Sequence, residues 1–417
     1  MTRFLFCTWE GGGHVQPMML AAQGLVKRGH DVRLISDACN APEAGVLGVP
    51  FRAWSGPLSR TDKTPASDRL RDWEAETPLD TIHQLCDRVI TGPALAYAND
   101  VLAALEEAPA DLIITQELLF GPMIAAEAAG LPLAIFAANV WSFPTLPGMP
   151  PFGAGMAPPT DDNEVALHAM VVQTTRLIFQ HGLPALNEAR AALGLMPLAD
   201  LFDQLAYARR ILLATSRAFD FAPDTLPESF RYVGPYVADP VGVEPYTLRA
   251  DDSRPLVLVS FSSLYQAQES AIGRILEALG RLDVRGLVTT GPAVDPAAFS
   301  PPPNVEVVRT APHHLLLPHT AVFITHCGHG STLRPLMAGV PLLCLPMGRD
   351  QNDNAIRAVS RGAALMLPPD ASPDAVARDV GRLLTEPSFR QVAAKIALQI
   401  NLDEANRSAE TELEALV

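Results

Sequence analysis

Phe323-Ile324-Thr325-His326-Cys327-Gly328-His329-Gly330-Ser331-Thr332 reads as a short apolar strand, a glycine-punctuated turn and the opening of a helix near Gly330. Leu333, Leu336 and Met337 mark one face of that helix. Ala338-Gly339-Val340-Pro341 stops it and leads into a second buried strand over 342–345, and another helix follows Asp350. Such a helix opens where a phosphate can sit. Gly328 and Gly330 let the backbone turn and come close, while free first-turn amides and the hydroxyls of Ser331 and Thr332 can bond a diphosphate. In an open parallel sheet, ligands collect at the carboxyl ends of the strands, so His326, Ser331 and Asp350 are expected on one rim.

Working outward, two βα series appear. The first has strands over 3–7, 32–36, 111–115 and 133–137, and the second over 256–261, 286–290, 305–309, 321–325 and 342–345. Between them, residues 233–240 are punctuated by Pro and Gly as a linker would be. The expected fold class is α/β with two Rossmann-like domains, over 1–238 and 239–417. Residues 141–163, rich in Pro, Gly and Met, read as a loop, either a mobile lid or a surface insertion.

A chain of 417 residues with 48% hydrophobic content can build two cores. It has no apolar run long enough to cross a bilayer and no leader of secretory type, which makes the cytoplasm the default location and membrane insertion unexpected. Five scattered cysteines fit reduced thiols better than a disulfide framework, and no ligand pair at structural-zinc spacing accompanies Cys327, so no metal site is assigned. A formal charge of −15 without a basic stripe argues against nucleic acid as a partner. An anionic ligand must therefore be met locally, by helix amides and a few side chains.

At the end of the first strand, Glu10-Gly11-Gly12-Gly13-His14-Val15-Gln16-Pro17 places His14 where the first helix opens, on the rim of a βα unit. The glycines lack the dinucleotide order and no Walker lysine follows. By itself such a histidine is ordinarily a loop residue with its bonds satisfied.

The stretch from Arg309 to Asn354 resembles the donor-binding signature of the family 1 glycosyltransferases, the UDP-glycosyltransferase superfamily. That resemblance implies the GT-B fold, with acceptor on the first domain, donor on the second, and a last helix that packs back on the first. It gives His326 the diphosphate, Ser331 a phosphate, and Asp350 and Gln351 the sugar hydroxyls; Ala311 lies in the segment that holds the base and Ser263 in a second phosphate loop. Arg309 offers a stacking plane for the base where plant members carry a nearby tryptophan, and His313 belongs to the same donor set. His14 matches the family's general base, which takes the acceptor's proton as its oxygen attacks the anomeric carbon and inverts it. The aspartate that usually holds this imidazole is replaced by Gln116, with Glu117 next to it; Glu117 is the favoured substitute.

Arg334 stands where many UDP-sugar enzymes have a ribose-binding glutamate, which leaves two donors open, UDP-glucose as the first choice and a dTDP-deoxysugar of antibiotic biosynthesis as the alternative. Trp54, Trp73, Phe120, Trp141 and Phe143 suggest a lipophilic, hydroxylated acceptor. No cofactor is implied beyond the nucleotide-sugar co-substrate. A non-catalytic helper or a nucleotide-sugar epimerase of the same fold are the lesser readings.

Overall fold

The computed structural model describes every residue except 249–251, 262–264 and 405–407, and the side chains of 403 and 404. A seven-stranded sheet contains β1 (Arg3–Cys7), β2 (Asp31–Ser36), β3 (Phe51–Ala53), β4 (Leu112–Gln116), β5 (Leu133–Ala137), β6 (Arg210–Leu213) and β7 (Phe230–Tyr232), in the order β3-β2-β1-β4-β5-β6-β7. A six-stranded sheet contains β8 (Leu256–Ser260), β9 (Arg285–Thr289), β10 (Val305–Val308), β11 (Thr320–Thr325), β12 (Leu342–Cys344) and β13 (Ala364–Met366), in the order β10-β9-β8-β11-β12-β13. Every recorded pairing is parallel. Parallel strands need crossovers, so helices cover both faces, which explains why the central strands read as unbroken apolar runs.

Each sheet accordingly has two cores, one per face. Leu5, Ile113 and Ile135 point into one core of the first sheet, and Phe4, Phe6, Leu112 and Ile114 into the other, beneath the helix Val15–Lys27. Strand order reverses beside β1 in the first sheet and beside β8 in the second. At such a reversal the loops leave in opposite directions and open a crevice outside the carboxyl ends. The Gly-Gly-Gly-His turn leaves β1, and the loop carrying His326 leaves β11, the neighbour of β8.

Two connections tie the halves together. The chain end crosses over: the helix Pro387–Glu404 packs on the helix His329–Met337, while Ala409 and Leu413 of the helix Ala409–Glu414 are buried in the first-sheet core. Tyr236 donates a 2.8 Å hydrogen bond to Glu410, which lies where a side chain at Gly24 would have to go. The second connection is residues 138–161. Trp141 and Phe143 are buried in the first-sheet core, yet Phe152 packs on the second-sheet core and the Gly153 amide donates to Asp353 at 2.7 Å. Expected as a lid or a surface insertion, this segment is packed at both ends.

Between the halves, Asp220 and Arg357 form a 2.7 Å ion pair whose side chains are 0% and 2% exposed, and the Tyr232 hydroxyl adds a 2.7 Å bond to the same carboxylate. Removing one partner of a buried pair strands the other charge. Arg357→Leu is expected to destabilise the fold by about 3–5 kcal/mol, read as a lower urea midpoint, with Asp220→Asn added in the same chain recovering part of the loss.

Candidate active site

The residues read from the sequence come to the rim in unequal ways. His14 is the residue before the helix Val15–Lys27 and is half-buried, with a buried Nδ1 that has no hydrogen-bond partner. Gln116 ends β4 on the same sheet face as Leu112 and Ile114, the face that this helix covers. Both polar atoms of its amide are buried without a partner, as is Oε2 of Glu117. Neither residue bonds His14 in this structure, so the expected orienting contact is not made. Burial pushes the Glu117 carboxyl up to about 8, helped by Asp350. It is then a neutral acid at pH 7, which cannot serve as the carboxylate that steadies an imidazolium.

From the opposite half, Asp350 and Arg349 both act on His14: burial lowers its proton affinity, Asp350 opposes that, and Arg349 and His329 add to it. Charges of the second half thus face the imidazole of the first. Arg349 has a left-handed backbone, φ 57°, and its guanidinium reaches over to Asp72 with a 2.7 Å bond from Nη2. Trp73 meets Tyr265 edge to face at 5.9 Å, again between the halves.

In the loop after β11, Cys327 takes φ 68° and the helix His329–Met337 starts one residue earlier than the glycine pattern suggested. The His326 ring lies nearly parallel to Phe261 at 6.0 Å, is 7% exposed, and has a buried, unpartnered Nδ1. Burial brings its pKa down to about 4, so it is neutral and offers one N–H at pH 7. A methyl at Gly328 would come within 2.7 Å of that ring, whereas the space above Gly330 is open. Ser331 is part-exposed, accepts from Thr325 and donates to the Gly328 carbonyl, both at 2.9 Å.

Several assigned contacts sit differently from expectation. Thr332 is fully buried and its hydroxyl bonds the Gly328 carbonyl at 3.0 Å, because a helix start draws hydroxyls onto its own backbone. Gln351 is 2% exposed and its amide is bonded at both ends, accepting from the Met347 amide at 2.7 Å and donating to Gln266 at 2.9 Å. Asp350 is part-exposed and caps the helix, accepting from the His329 amide at 3.2 Å and from Asn354 at 2.7 Å. His313 is turned into the sheet against Thr289 at 3.1 Å, and Ala311 is in the core. Arg309 is exposed, 3.5 Å from Asp295. Ser263 lies outside the described residues.

Of the acceptor aromatics, only Trp73 is at the opening. Trp54 is 2% exposed and bonds the Thr8 carbonyl at 2.8 Å, Phe120 and Phe143 pack on each other, and the Trp141 indole is tied to Thr145 at 2.9 Å. These four are core residues; large apolar rings near strand ends fill the space under the loops. What the sequence did not reveal is Arg334's partner: Asp239 of the linker pairs with its Nη1 at 3.2 Å and also holds His314. It also missed how many polar atoms at strand ends go unpaired. Besides those above, Thr8 Oγ1, Trp9 Nε1 and Thr215 Oγ1 are buried without partners. Buried polar atoms are nearly always bonded, to protein or to ordered water, so these atoms are open to a partner from outside the chain.

The raised Glu117 carboxyl has a consequence for stability. Its ordinary value is 4.5 and its folded value about 8, so between these the folded chain holds a proton that the unfolded chain has lost. Stability is then intact below pH 4.5 and falls as pH rises through that window. Glu117→Gln is expected to be more stable than the parent at pH 8.5 and about equal to it at pH 5, by urea midpoints at the two pH values.

A family model described as the C-terminal domain of erythromycin biosynthesis protein CIII-like proteins matches residues 273–414. 4'-Demethylrebeccamycin synthase of Lentzea aerocolonigenes is 29% identical over 100% of this chain and 99% of its own length. TDP-daunosamine transferase DnrS of Streptomyces peucetius is 34% identical over 44% of this chain and 43% of its own. Among solved structures, the glycotransferase of kitacinnamycin superposes with a TM-score of 0.77 at 20% identity, covering 99% of this chain and 97% of that one. The glycosyltransferase VinC in complex with DTDP gives 0.68 at 20%, covering 99% and 98%. The two parallel sheets are those of the GT-B fold. The chain is a glycosyltransferase similar to the family 1 enzymes of the bacterial natural-product type, which move a sugar from a nucleoside diphosphate to a small-molecule acceptor.

Proposed function

We propose that this chain is an inverting glycosyltransferase in which His14 is the general base, residues 1–238 carry the acceptor and residues 239–417 the donor. The observation that carries this reading is the position of His14: at the strand-order reversal of one sheet, with an unsatisfied ring nitrogen, and in the field of Asp350 and Arg349 from the other half. Burial keeps its imidazole neutral at pH 7, as a base must be. It takes the proton of an acceptor hydroxyl while that oxygen bonds the anomeric carbon. The bond from that carbon to the diphosphate oxygen breaks with its electron pair, on the opposite face, so the configuration inverts. The departing diphosphate is received by first-turn amides of the helix His329–Met337, by Ser331 and by the His326 N–H, without a metal ion. With Gln116 in place of a carboxylate and Glu117 neutral, the imidazolium formed is held weakly and gives up its proton readily.

For the donor, UDP-glucose is supported by Asp350 at the opening, part-exposed and able to take a sugar hydroxyl. A dTDP-deoxyhexose is supported by more. Gln351 is already bonded at both ends of its amide, and Arg334, which takes the place of the ribose-binding glutamate of many UDP-sugar enzymes, is paired with Asp239 and offers no carboxylate. The relatives' names include both kinds, one being a UDP-glycosyltransferase and another a TDP-daunosamine transferase, and a structural neighbour is bound to DTDP. We therefore favour the dTDP-deoxyhexose, carried to a lipophilic, hydroxylated small molecule.

Incubation with UDP- and dTDP-sugars and macrolide, steroid and flavonoid acceptors, followed by mass detection, is expected to yield a glycoside preferentially from a dTDP donor. His14→Ala should lower kcat by about 10²- to 10⁴-fold with donor KM nearly unchanged; turnover equal to the parent's would remove His14 as the base.

A further inference from the structure

His329, the first residue of the donor-side helix, has no role in the mechanism above, yet its ring joins the two halves. It is 8% exposed. Nδ1 is 3.3 Å from Oδ1 of Asn354 in the donor half, and Nε2 is 3.3 Å from the carbonyl of Ala214, just past β6 in the acceptor half. Asn354 has no freedom to turn its amide around, because its nitrogen already donates to the Cys327 carbonyl at 3.0 Å and to Asp350 at 2.7 Å. Both ring nitrogens therefore face oxygens that only accept. A neutral imidazole has one N–H and satisfies one of them; both are satisfied only by the imidazolium.

The surroundings are balanced between the two forms. Asp350 and Asn354 face the ring from the helix Gln351–Ser360, and Asp220, already paired with Arg357, acts on it from the segment after β6. His14 lies within electrostatic range across the cleft, and the Phe219 ring meets it edge-on at 5.9 Å. Burial prevails and the ring's proton affinity is lowered, against the opposing pull of Asp350, Asn354, Ala214 and Asp220. A diphosphate at the first turn of this helix adds negative charge beside the ring and tips the balance.

We propose that His329 is a positioning residue for the donor: it takes up a proton when the diphosphate binds, and as an imidazolium it bonds Asn354 and Ala214 together, drawing the donor helix against the acceptor half. Binding energy from a part of the donor that does not react is thereby used to set the cleft in which His14 and the anomeric carbon meet. The inference rests on the nucleoside diphosphate sugar donor assigned above.

The test uses UDP-glucose and dTDP-glucose, whose diphosphate diesters do not titrate near neutrality. Isothermal titration at pH 7 in buffers of different ionisation enthalpy counts the protons taken up on binding. The parent protein is expected to take up a fraction of one proton. His329→Gln is expected to lose that uptake and bind about tenfold more weakly, within the usual range of a coupling between sites, whereas His329→Lys, charged throughout, restores affinity without uptake. A purely structural histidine would not change the proton count. If His329→Gln binds with the parent's uptake and affinity, or if His329→Lys still takes up the proton, this inference is overturned while the donor reading stands. If the parent protein binds neither nucleotide sugar, the donor reading falls and the inference with it.

Discussion

The buried ion pair between Asp220 and Arg357 fixes how the two halves meet, and the geometry of the cleft follows from it. Arg357 is in the helix Gln351–Ser360, which Asp350 immediately precedes, and Asp220 is in the short segment that follows β6. Once that pair is made, the first turn of this helix and the loop after β11 have little freedom relative to the first sheet. Ala214 comes to His329, Arg361 reaches the carbonyls of Ala218 and Asp220, and Phe221 is flanked by both guanidiniums. A pair buried this deeply costs desolvation that its attraction only partly recovers, so its value is in register more than in net stability.

The electrostatics of the cleft follow from the same burial. In a chain of net charge −15, a doubly anionic donor has no general field to attract it. Burial lessens what would otherwise repel it: Glu117 is raised to about 8, and Asp353, behind the strap at Gly153, to about 7, where it is only partly ionised. Imidazoles at 14, 326 and 329 are pushed toward the neutral form by the same desolvation, which leaves them as donors and bases and, for the last, as a group that an arriving anion can charge. Asp350 is held at the positive end of the helix His329–Met337, where a carboxylate costs least.

Much of the fold was legible because its signal is local. Strands β1, β2, β4, β5 and β8 to β12 are apolar runs bounded by turns, and reading them places their ends within a residue. The strands missed, β3, β6, β7 and β13, have three or four residues each, too few to show a period. The site was legible in part. His14, His326, Ser331 and Asp350 stand at loop positions that topology alone delivers to the rim. Trp54, Phe120, Trp141 and Phe143 were misjudged since a ring near a strand end looks alike whether it faces a ligand or the core; only tertiary packing decides. Gln351 and Thr332 were misjudged for a related reason, because short-range hydrogen bonds to their own turn compete with any ligand.

The segment 138–161 shows how composition misleads in the other direction. Its prolines and glycines have the look of slack chain, yet they serve two anchors of opposite allegiance. Trp141 and Phe143 bury their rings under the first sheet, and Phe152 does so against the second, so the intervening residues must cross the gap without regular hydrogen bonding. Gly153 and Gly155 both have positive φ, which turns their amides toward Asp353, and a side chain at 155 would come within 2.9 Å of Asn352. The strap therefore runs past the first turn of the helix that carries Asp350 and Gln351. The strap there is made of backbone and held by the buried side chain of Asp353, so its course is set by main-chain atoms that side-chain substitution does not readily move.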